Sequence, residues 1–421
     1  LQGFINQLTN AGRAYVNFSL GKFSAMDENI SLALSPVSDP LMLGVEEQIA
    51  LLRLAAMRHF IVEETEKIEE VLGKAKELAT SSKISQSHLM LSSINAMYLF
   101  QIGDYRRAYE AASINYTQYA KRSYVGIFGP LDSLFVMARC LLEFARPSEA
   151  YEKFVQIRDL AEQWKMWSWH FYADGYLARE LAVNGQVTES IENIKSAHQR
   201  ATQIDFSHQL EDILDMSEVF VRFYVNDLER LGVLLERAPK VRIVEQIRIS
   251  YDDRMGKKPA RDAFTHLPSK TPREKIWKYL VDASEVIDQE NLAAKEMKKA
   301  LDVGALVGAK ETFLRQSEEM GNLIIKLAGE NPTVYMEDLA SAVAERIKRN
   351  ANGTSEVRSS LTKREIEVLR HLSTDRPISA IAGTLHISIN TMKTHLKNLY
   401  RKMGVENRTQ AVEKAKANFI L

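Results

Sequence analysis

Basic and polar side chains near the C-terminus recur at a spacing that suits contacts to DNA. Ile389, Met392, Leu396 and Leu399 lie at helical intervals, which predicts a helix over about 389–403 that buries these four residues. The residues left facing outward are Thr391, Lys393, Thr394, Lys397, Asn398, Arg401 and Lys402. Lysine and arginine bind phosphates and pair with guanine, and a threonine methyl can contact thymine. This helix is therefore predicted to read DNA.

Local signals predict three further helices around it. Thr362 and Glu365 have capping-box spacing at the start of a first helix. A second, short helix is predicted over Ile378–Leu385, and a turn at 386–388 then leads to Ser388, a good N-cap for the third helix. Asn407 is predicted to cap a fourth helix that ends near residue 418. The arrangement is a helix-turn-helix over 378–397 within a four-helix domain.

The charge of this region agrees with binding to phosphates. Residues 359–421 contain eleven lysines and arginines against five acidic residues, a formal net charge of +6. The whole chain is neutral, so residues 1–358 carry −6. Charge alone also fits an ordinary solvated surface, but together with the helix-turn-helix spacing it favours DNA binding.

Residues 361–412 resemble the LuxR-type helix-turn-helix domain. The positions that match its pattern are Leu361, Thr362, Arg364, Glu365, Glu367, Val368, Leu369, Ile381, Ala382, Leu385, Ile387, Ser388, Thr391, Lys393, His395, Asn407, Arg408, Gln410 and Ala411. Ala380 stands where the family usually has Glu, Asp375 lies near its usual Gly, and Met392 replaces its usual Val. These departures affect local stability and docking more than the fold.

The resemblance implies that the third helix lies in the major groove and that the domain binds double-stranded DNA as a dimer, with the fourth helix near the two-fold axis. The DNA-binding residues that follow from it are Asn390, Thr391, Lys393, Thr394, Lys397 and Arg401.

The preceding residues contain a long repeat. Turn positions recur at about 41-residue intervals, at Gly21, about Val62, Gly103, about Ala145, Gly185 and Asn226. Each follows an apolar helix and opens a second one, so about six helical hairpins are predicted to stack over residues 1–240. The motif at 103–108 resembles the turn of tetratricopeptide repeats, although the period here is longer. Residues 241–348 are predicted to add further hairpins, among them a pair at Glu290–Val307 and Lys310–Leu327.

The predicted fold is thus all-α: a tetratricopeptide-like superhelix, a flexible linker at 349–358 and a four-helix LuxR-type domain at 359–421. This order resembles the C-terminal half of the large ATP-binding, maltose-activator-like LuxR regulators, in which a nucleotide-binding module precedes the repeats. The chain has no phosphate-binding loop motif, and it begins at Leu1 rather than Met. We therefore expect either that an N-terminal part is missing or that the protein never had this module.

Aromatic residues cluster at one repeat and suggest an effector site. Trp169, His170, Tyr172 and Tyr176 lie on the predicted first helix of the fifth hairpin, and Trp167 lies just before it. Rings with polar edges suit a sugar or another ring-bearing ligand. The alternative is that they fill the hairpin core, and a peptide or protein partner is equally open.

Other classes of function find little support in the sequence. One cysteine, Cys140, excludes a disulfide within the chain, and no apolar run is long enough to span a membrane, so a cytoplasmic protein is expected. The histidines of the C-terminal region are isolated and no cysteine accompanies them, so no metal site is predicted there. The sequence also shows no catalytic group of residues and no cofactor motif. We therefore expect a DNA-binding transcriptional regulator and not an enzyme. We expect it to act as an activator whose repeats sense a small effector or a protein partner. The alternative is a helical-repeat scaffold with a degenerate helix-turn-helix.

Overall fold

The fold is given by a computed structural model. It describes residues 2–36, 42–80, 85–120, 130–183, 186–204, 208–225, 227–238, 244–245, 247–248, 251–252, 255, 270–360, 368–369, 371–372, 376–385, 387–403, 405 and 407–417. Side chains at 85, 120, 208–210, 349–360, 390, 394, 402–403 and 413–417 lie outside this description.

Every regular element in the described residues is an α-helix, as the sequence predicts. The repeat helices are α1 (Gln2–Ser19), α2 (Phe23–Leu34), α3 (Val45–Ile61), α4 (Thr65–Thr80), α5 (Ser85–Ile102), α6 (Tyr105–Ala120), α7 (Leu131–Glu143), α8 (Pro147–Gln163), α9 (Trp167–Val183), α10 (Val187–Ala201), α11 (His208–Tyr224) and α12 (Leu228–Arg237). They are followed by α13 (Pro272–Glu285), α14 (Glu290–Val307), α15 (Glu311–Leu314), α16 (Glu318–Glu330), α17 (Val334–Ser360), α18 (Ile378–Thr384), α19 (Ile389–Met403) and α20 (Arg408–Ala417).

The first twelve helices pair in sequence as antiparallel hairpins, and neighbouring hairpins stack on each other. One hydrophobic cluster runs through the stack from Ala14 to Val343. A single hairpin cannot bury its apolar face, whereas a stack can, and the repeats share one large core with two smaller clusters beside it. The predicted helical-repeat superhelix is therefore confirmed.

The hairpin turns share one backbone conformation. Gly21, Glu63, Gly103 and Ala145 have φ values of 67°, 59°, 87° and 58°, and they recur every 40 to 42 residues. In each turn this left-handed residue and the residue after it donate amide hydrogen bonds back to the last helical turn. This is the Schellman motif that ends many helices. The predicted repeat period is therefore visible in the backbone, with Glu63 in place of Val62.

Two of these turns use a residue with a side chain where glycine is favoured. Ala145→Gly is expected to stabilise the repeats by about 1 kcal/mol, because it removes the steric cost of a left-handed alanine. Urea unfolding followed by tryptophan fluorescence measures this, since all four tryptophans precede residue 359. Gly103→Ala is the opposite control and should destabilise, because a Cβ there would lie 2.8 Å from the Arg273 backbone nitrogen. A loss of stability in Ala145→Gly would contradict this account.

The later helices differ from one predicted pair. Glu290–Val307 is α14, as predicted, but the predicted helix Lys310–Leu327 is divided into α15 and α16. Ser317 causes the break, because its hydroxyl accepts a hydrogen bond from the Met320 amide at 3.4 Å and caps a new helix.

Helices α13–α15 fold back across the middle repeats. Arg273 on α13 donates to the Gln101 side chain at 3.2 Å, and Arg106 donates to the Ala305 carbonyl at 3.2 Å. The Lys310 amide donates to the Glu143 carbonyl at 2.7 Å. These bonds join residues more than 160 positions apart, so the C-terminal helices pack against α5–α7.

Residues 349–358 are helical, which corrects the prediction of a flexible linker. They form part of α17, which continues to Ser360. The segment 350–355 has one glycine and no proline, and each of its polar residues lowers helix stability by about 1 kcal/mol or less. Composition alone therefore does not end the helix. The division of the chain into domains at these residues stays a prediction.

Candidate nucleic-acid interface

The C-terminal helices have a hydrophobic core of their own. Its buried members are Val368, Leu369, Leu372, Ile381, Ala382, Leu385, Met392, Leu396, Leu399 and Ala411. They come from the described part of the first helix, from α18 and Leu385 directly after it, and from α19 and α20. The predicted inward positions Met392, Leu396 and Leu399 all belong to this core. Packing on it holds α19 in a fixed orientation.

Helix α19 presents its basic residues to solvent. Thr391, Lys393, Lys397 and Arg401 are exposed, on the side opposite the core residues. Arg401 also lies 3.4 Å from the Asn398 side-chain oxygen, to which it donates. The backbone of Asn390 and Thr394 is in α19, whereas their side chains lie outside the described residues. The helix thus has an exposed cationic face.

One residue of the predicted buried face is exposed. Ile389 is 51% exposed, in contrast to Met392 at 0%. It is the first residue of α19, and the helix contacts the core only from Met392 onward. The prediction that Ile389 is buried is therefore wrong, and its side chain adds apolar surface beside the cationic face.

Side-chain caps fix the N-termini of α19 and α20, as predicted. The Ser388 hydroxyl accepts from the Thr391 amide at 3.1 Å and contacts the Thr391 hydroxyl at 2.8 Å. The Asn407 side chain accepts from the Gln410 amide at 2.9 Å. The amides of the first turn of α19 remain close to the exposed face, where a helix N-terminus favours phosphate.

Arg408 connects the fourth helix to the end of the first, a role that sequence reasoning did not assign. Its guanidinium donates to the Leu372 carbonyl at 3.0 Å and to the Arg376 carbonyl at 2.9 Å. Arg408 also lies near Tyr400 on α19; burial raises the pKa of Tyr400, and the charge of Arg408 partly offsets this. The Asn407-Arg408 pair at the start of the fourth helix, which matches the family pattern, was the sequence signal that could have indicated this role.

Comparison with known families identifies this domain. Residues 359–415 match the family described as bacterial regulatory proteins, luxR family. These residues form a LuxR-family domain. The resemblance predicted from the sequence is thereby confirmed for the C-terminal region, and DNA-binding transcription regulation is the function that a LuxR-type domain supports.

Curated bacterial regulators are similar to part of this chain. The CsgBAC operon transcriptional regulatory protein of Escherichia coli strain K12 is 52% identical over 58 residues, which are 14% of this chain and 27% of that protein. The response regulator protein VraR of Staphylococcus epidermidis is 29% identical over 120 residues, 28% of this chain and 53% of that protein. The chain thus spans about half or less of the length of these two relatives.

The two departures from the family pattern that lie in the described residues differ in burial. Ala380 is exposed, and its carbonyl accepts from the Thr384 hydroxyl at 3.0 Å. Met392 is fully buried in the position predicted for it. Asp375 and the capping box at Thr362 and Glu365 lie outside the described residues.

Removal of the Ser388 cap is expected to loosen the start of α19. Ser388→Ala should lower local stability by about 1 kcal/mol, because the Thr391 amide loses its acceptor. Hydrogen exchange of a peptide that covers residues 388–396 measures the effect. Ser388→Thr keeps a hydroxyl and is the matched control. Equal exchange in Ser388→Ala and the unchanged protein would contradict the assigned cap.

The aromatic cluster of the fifth hairpin lies mainly in the repeat core. Trp169 and Tyr172 each have their rings 4.9 Å from that of Phe135, and Tyr172 donates to the Ile61 carbonyl at 3.2 Å. His170 is also buried, whereas Trp167 and Tyr176 are half-buried. Tyr172 and Tyr176 line a cleft together with Arg179. The effector role of the five aromatic residues stays a prediction.

One group of possible metal ligands occurs in the described residues: His198, Asp215 and Glu218. Arginines already pair with both carboxylates, Arg237 with Asp215 at 2.6 Å and Arg222 with Glu218 at 2.9 Å. Burial raises the pKa of Glu218, but the neighbouring His198 and Arg222 outweigh burial and hold this pKa at about 2. A cation would have to compete with these guanidinium groups, so we assign the group to ion pairing. As for membranes, no described helix is both long enough and apolar enough to span one.

Proposed function

We propose that this chain is a sequence-specific DNA-binding transcriptional activator whose helical repeats sense an effector. The observation that carries the proposal is the exposed cationic face of α19, set on the core of a LuxR-type domain. Lys393, Lys397 and Arg401 point away from the buried Met392, Leu396 and Leu399. This arrangement suits a helix that enters the major groove. The proposal places the protein in the cytoplasm, where its DNA is.

Within this proposal, Lys393, Thr394 and Lys397 contact base edges or nearby phosphates, and Asn390 and Thr391 hold phosphates at the start of α19. Arg401 adds a phosphate contact one turn further along. Two copies bind a two-fold operator, with α20 near the axis, because a symmetric dimer places two recognition helices one DNA turn apart. The exposed Thr409 and Gln410 on α20 are compatible with this placement.

The repeats supply the sensing part of the proposal. They surround a cleft lined by Tyr172, Tyr176 and Phe220, and stacked helical hairpins form extended binding surfaces. Their C-terminal helix α17 continues to Ser360, next to the LuxR-type domain. In this proposal, α17 carries an event in the repeats to the start of the output domain.

Binding of the full chain to promoter DNA at several salt concentrations tests the DNA-binding part. The logarithm of the association constant should fall with the logarithm of salt by about 0.9 for each phosphate neutralised, and cognate promoter fragments should bind more tightly than scrambled ones. Genomic footprinting of the same protein supplies the candidate promoters. A flat response to salt without sequence preference would favour the alternative, a helical-repeat scaffold with a degenerate helix-turn-helix.

A further inference from the structure

A partly buried carboxylate joins the folded-back segment to the repeats. Glu311 on α15 accepts from Arg179 on α9 at 3.0 Å and from Arg315 at 3.2 Å, and all of these bonds converge on one oxygen, Oε1. Arg179 is 5% exposed, whereas Glu311 is 18% exposed and Arg315 is 26% exposed. Burial would raise the pKa of Glu311, but the charges of Arg315 and Arg179 outweigh burial and keep it below its usual range. Two guanidinium groups thus hold one carboxylate at a place that solvent can reach.

Arg179 has unused binding capacity at this place. Its Nε is buried and has no hydrogen-bond partner among the described residues, although it pairs with the Glu180 carboxylate at 3.8 Å. The guanidinium also lies 5.2 Å from the ring centre of Phe220 and 5.7 Å from that of Tyr176. These rings and Arg179 line the cleft between α9 and α11, together with Met216, Ser217 and the acidic Glu63. The cleft therefore places the aromatic rings of Tyr176 and Phe220 beside the Arg179 guanidinium, which has a donor available for a further hydrogen bond.

The segment that carries Glu311 is also attached to the helix that leads to the output domain. The hydroxyl of Tyr335 on α17 donates to the Ala309 carbonyl. Lys310 donates to Asp338 on α17 at 3.3 Å. Phe313 is buried, and α15 packs against α17. Any displacement of residues 308–315 from the repeats must alter the support of α17.

From these contacts we infer that Arg179 and Arg315 form a binding site for a small organic carboxylate with an aromatic body, and that Glu311 is its internal competitor. The ligand carboxylate takes the place of the Glu311 carboxylate, and its ring packs beside Tyr176 and Phe220. A fork of guanidinium donors is well suited to a carboxylate. Release of Glu311 frees α15 and transmits the event to α17. This inference rests on the proposed sensing function and names its effector class.

Calorimetric titration of the full chain with benzoate tests the site, with benzamide as the uncharged analogue and ionic strength held constant. Glu311→Ala should bind benzoate about tenfold more tightly than the unchanged protein, because removal of a competing internal group raises the competent population. Glu318→Ala is the matched control, since it removes an exposed carboxylate nearby without contact to Arg179 or Arg315. Benzoate binding that is unaffected by Glu311→Ala, or equalled by benzamide, overturns the inference.

Hydrogen exchange gives a second measurement that does not depend on the folding of the Glu311 variant. Benzoate should increase deuterium uptake at residues 308–315 in the unchanged protein, benzamide should not, and Arg315→Gln should abolish the increase. Unchanged uptake with benzoate overturns the inference. Promoter binding is measured on the same preparation, so a chain that binds DNA but shows no carboxylate response contradicts this site alone and leaves the DNA-binding proposal standing.

Discussion

Replacement of Asp132 by Asn is expected to lower the free energy of unfolding of the repeats by about 3–5 kcal/mol. Arg53 on α3 donates to Asp132 on α7 at 2.7 Å, and the two side chains are 7% and 2% exposed. Asn keeps the shape of the side chain but removes its charge, which leaves the buried guanidinium without its carboxylate. The loss is large because water cannot solvate that charge in the core. Urea unfolding followed by tryptophan fluorescence measures it.

Two further variants show whether the buried charge causes the loss. Glu70→Gln neutralises the exposed pair with Lys74, whose atoms lie 2.6 Å apart, and should leave the unfolding midpoint nearly unchanged. Arg53→Met combined with Asp132→Asn removes both buried charges and should recover part of the lost stability. If the double variant is less stable than Asp132→Asn alone, packing or hydrogen bonding of Arg53 is the larger contribution.

Features with local causes could be predicted from the sequence. Ser388 caps α19 through a bond that spans three residues, and Met392, Leu396 and Leu399 show their burial in their spacing. The repeat turns are local as well, because Gly21 and Gly103 end helices by their own backbone freedom. Ile389 is the exception, since helical spacing does not show where the helix first meets its core.

Features that join distant residues could not be predicted. Arg53 and Asp132 are 79 residues apart, and Arg179 and Glu311 are 132 apart. Each of these side chains is unremarkable in its own helix, because a charge on a helix usually faces solvent. Their burial depends on the way the hairpins stack and on the return of α13–α15 across them. The helical backbone of 349–358 was missed for a related reason, since the polar composition of this segment disfavours a helix only weakly.

Lys393→Ala is expected to weaken binding to a cognate operator by about 1–3 kcal/mol, or about 5- to 150-fold. Lys393 is exposed on α19, directly after the first turn. The Ser388 cap fixes the position of this turn relative to the core. Fluorescence anisotropy of the full chain with labelled operator measures the change. Lys76→Ala is the matched control, because it removes one exposed lysine from α4 in the repeats and should leave operator affinity unchanged.

The salt dependence of the same variants separates two roles for Lys393. If the lysine contacts phosphate, Lys393→Ala should weaken cognate and scrambled DNA alike and reduce the salt slope by about 1. If it contacts a base, cognate DNA should lose affinity and specificity should relax at one position, with little change for scrambled DNA. Unchanged affinity for both DNAs would contradict the assignment of α19 as the recognition helix.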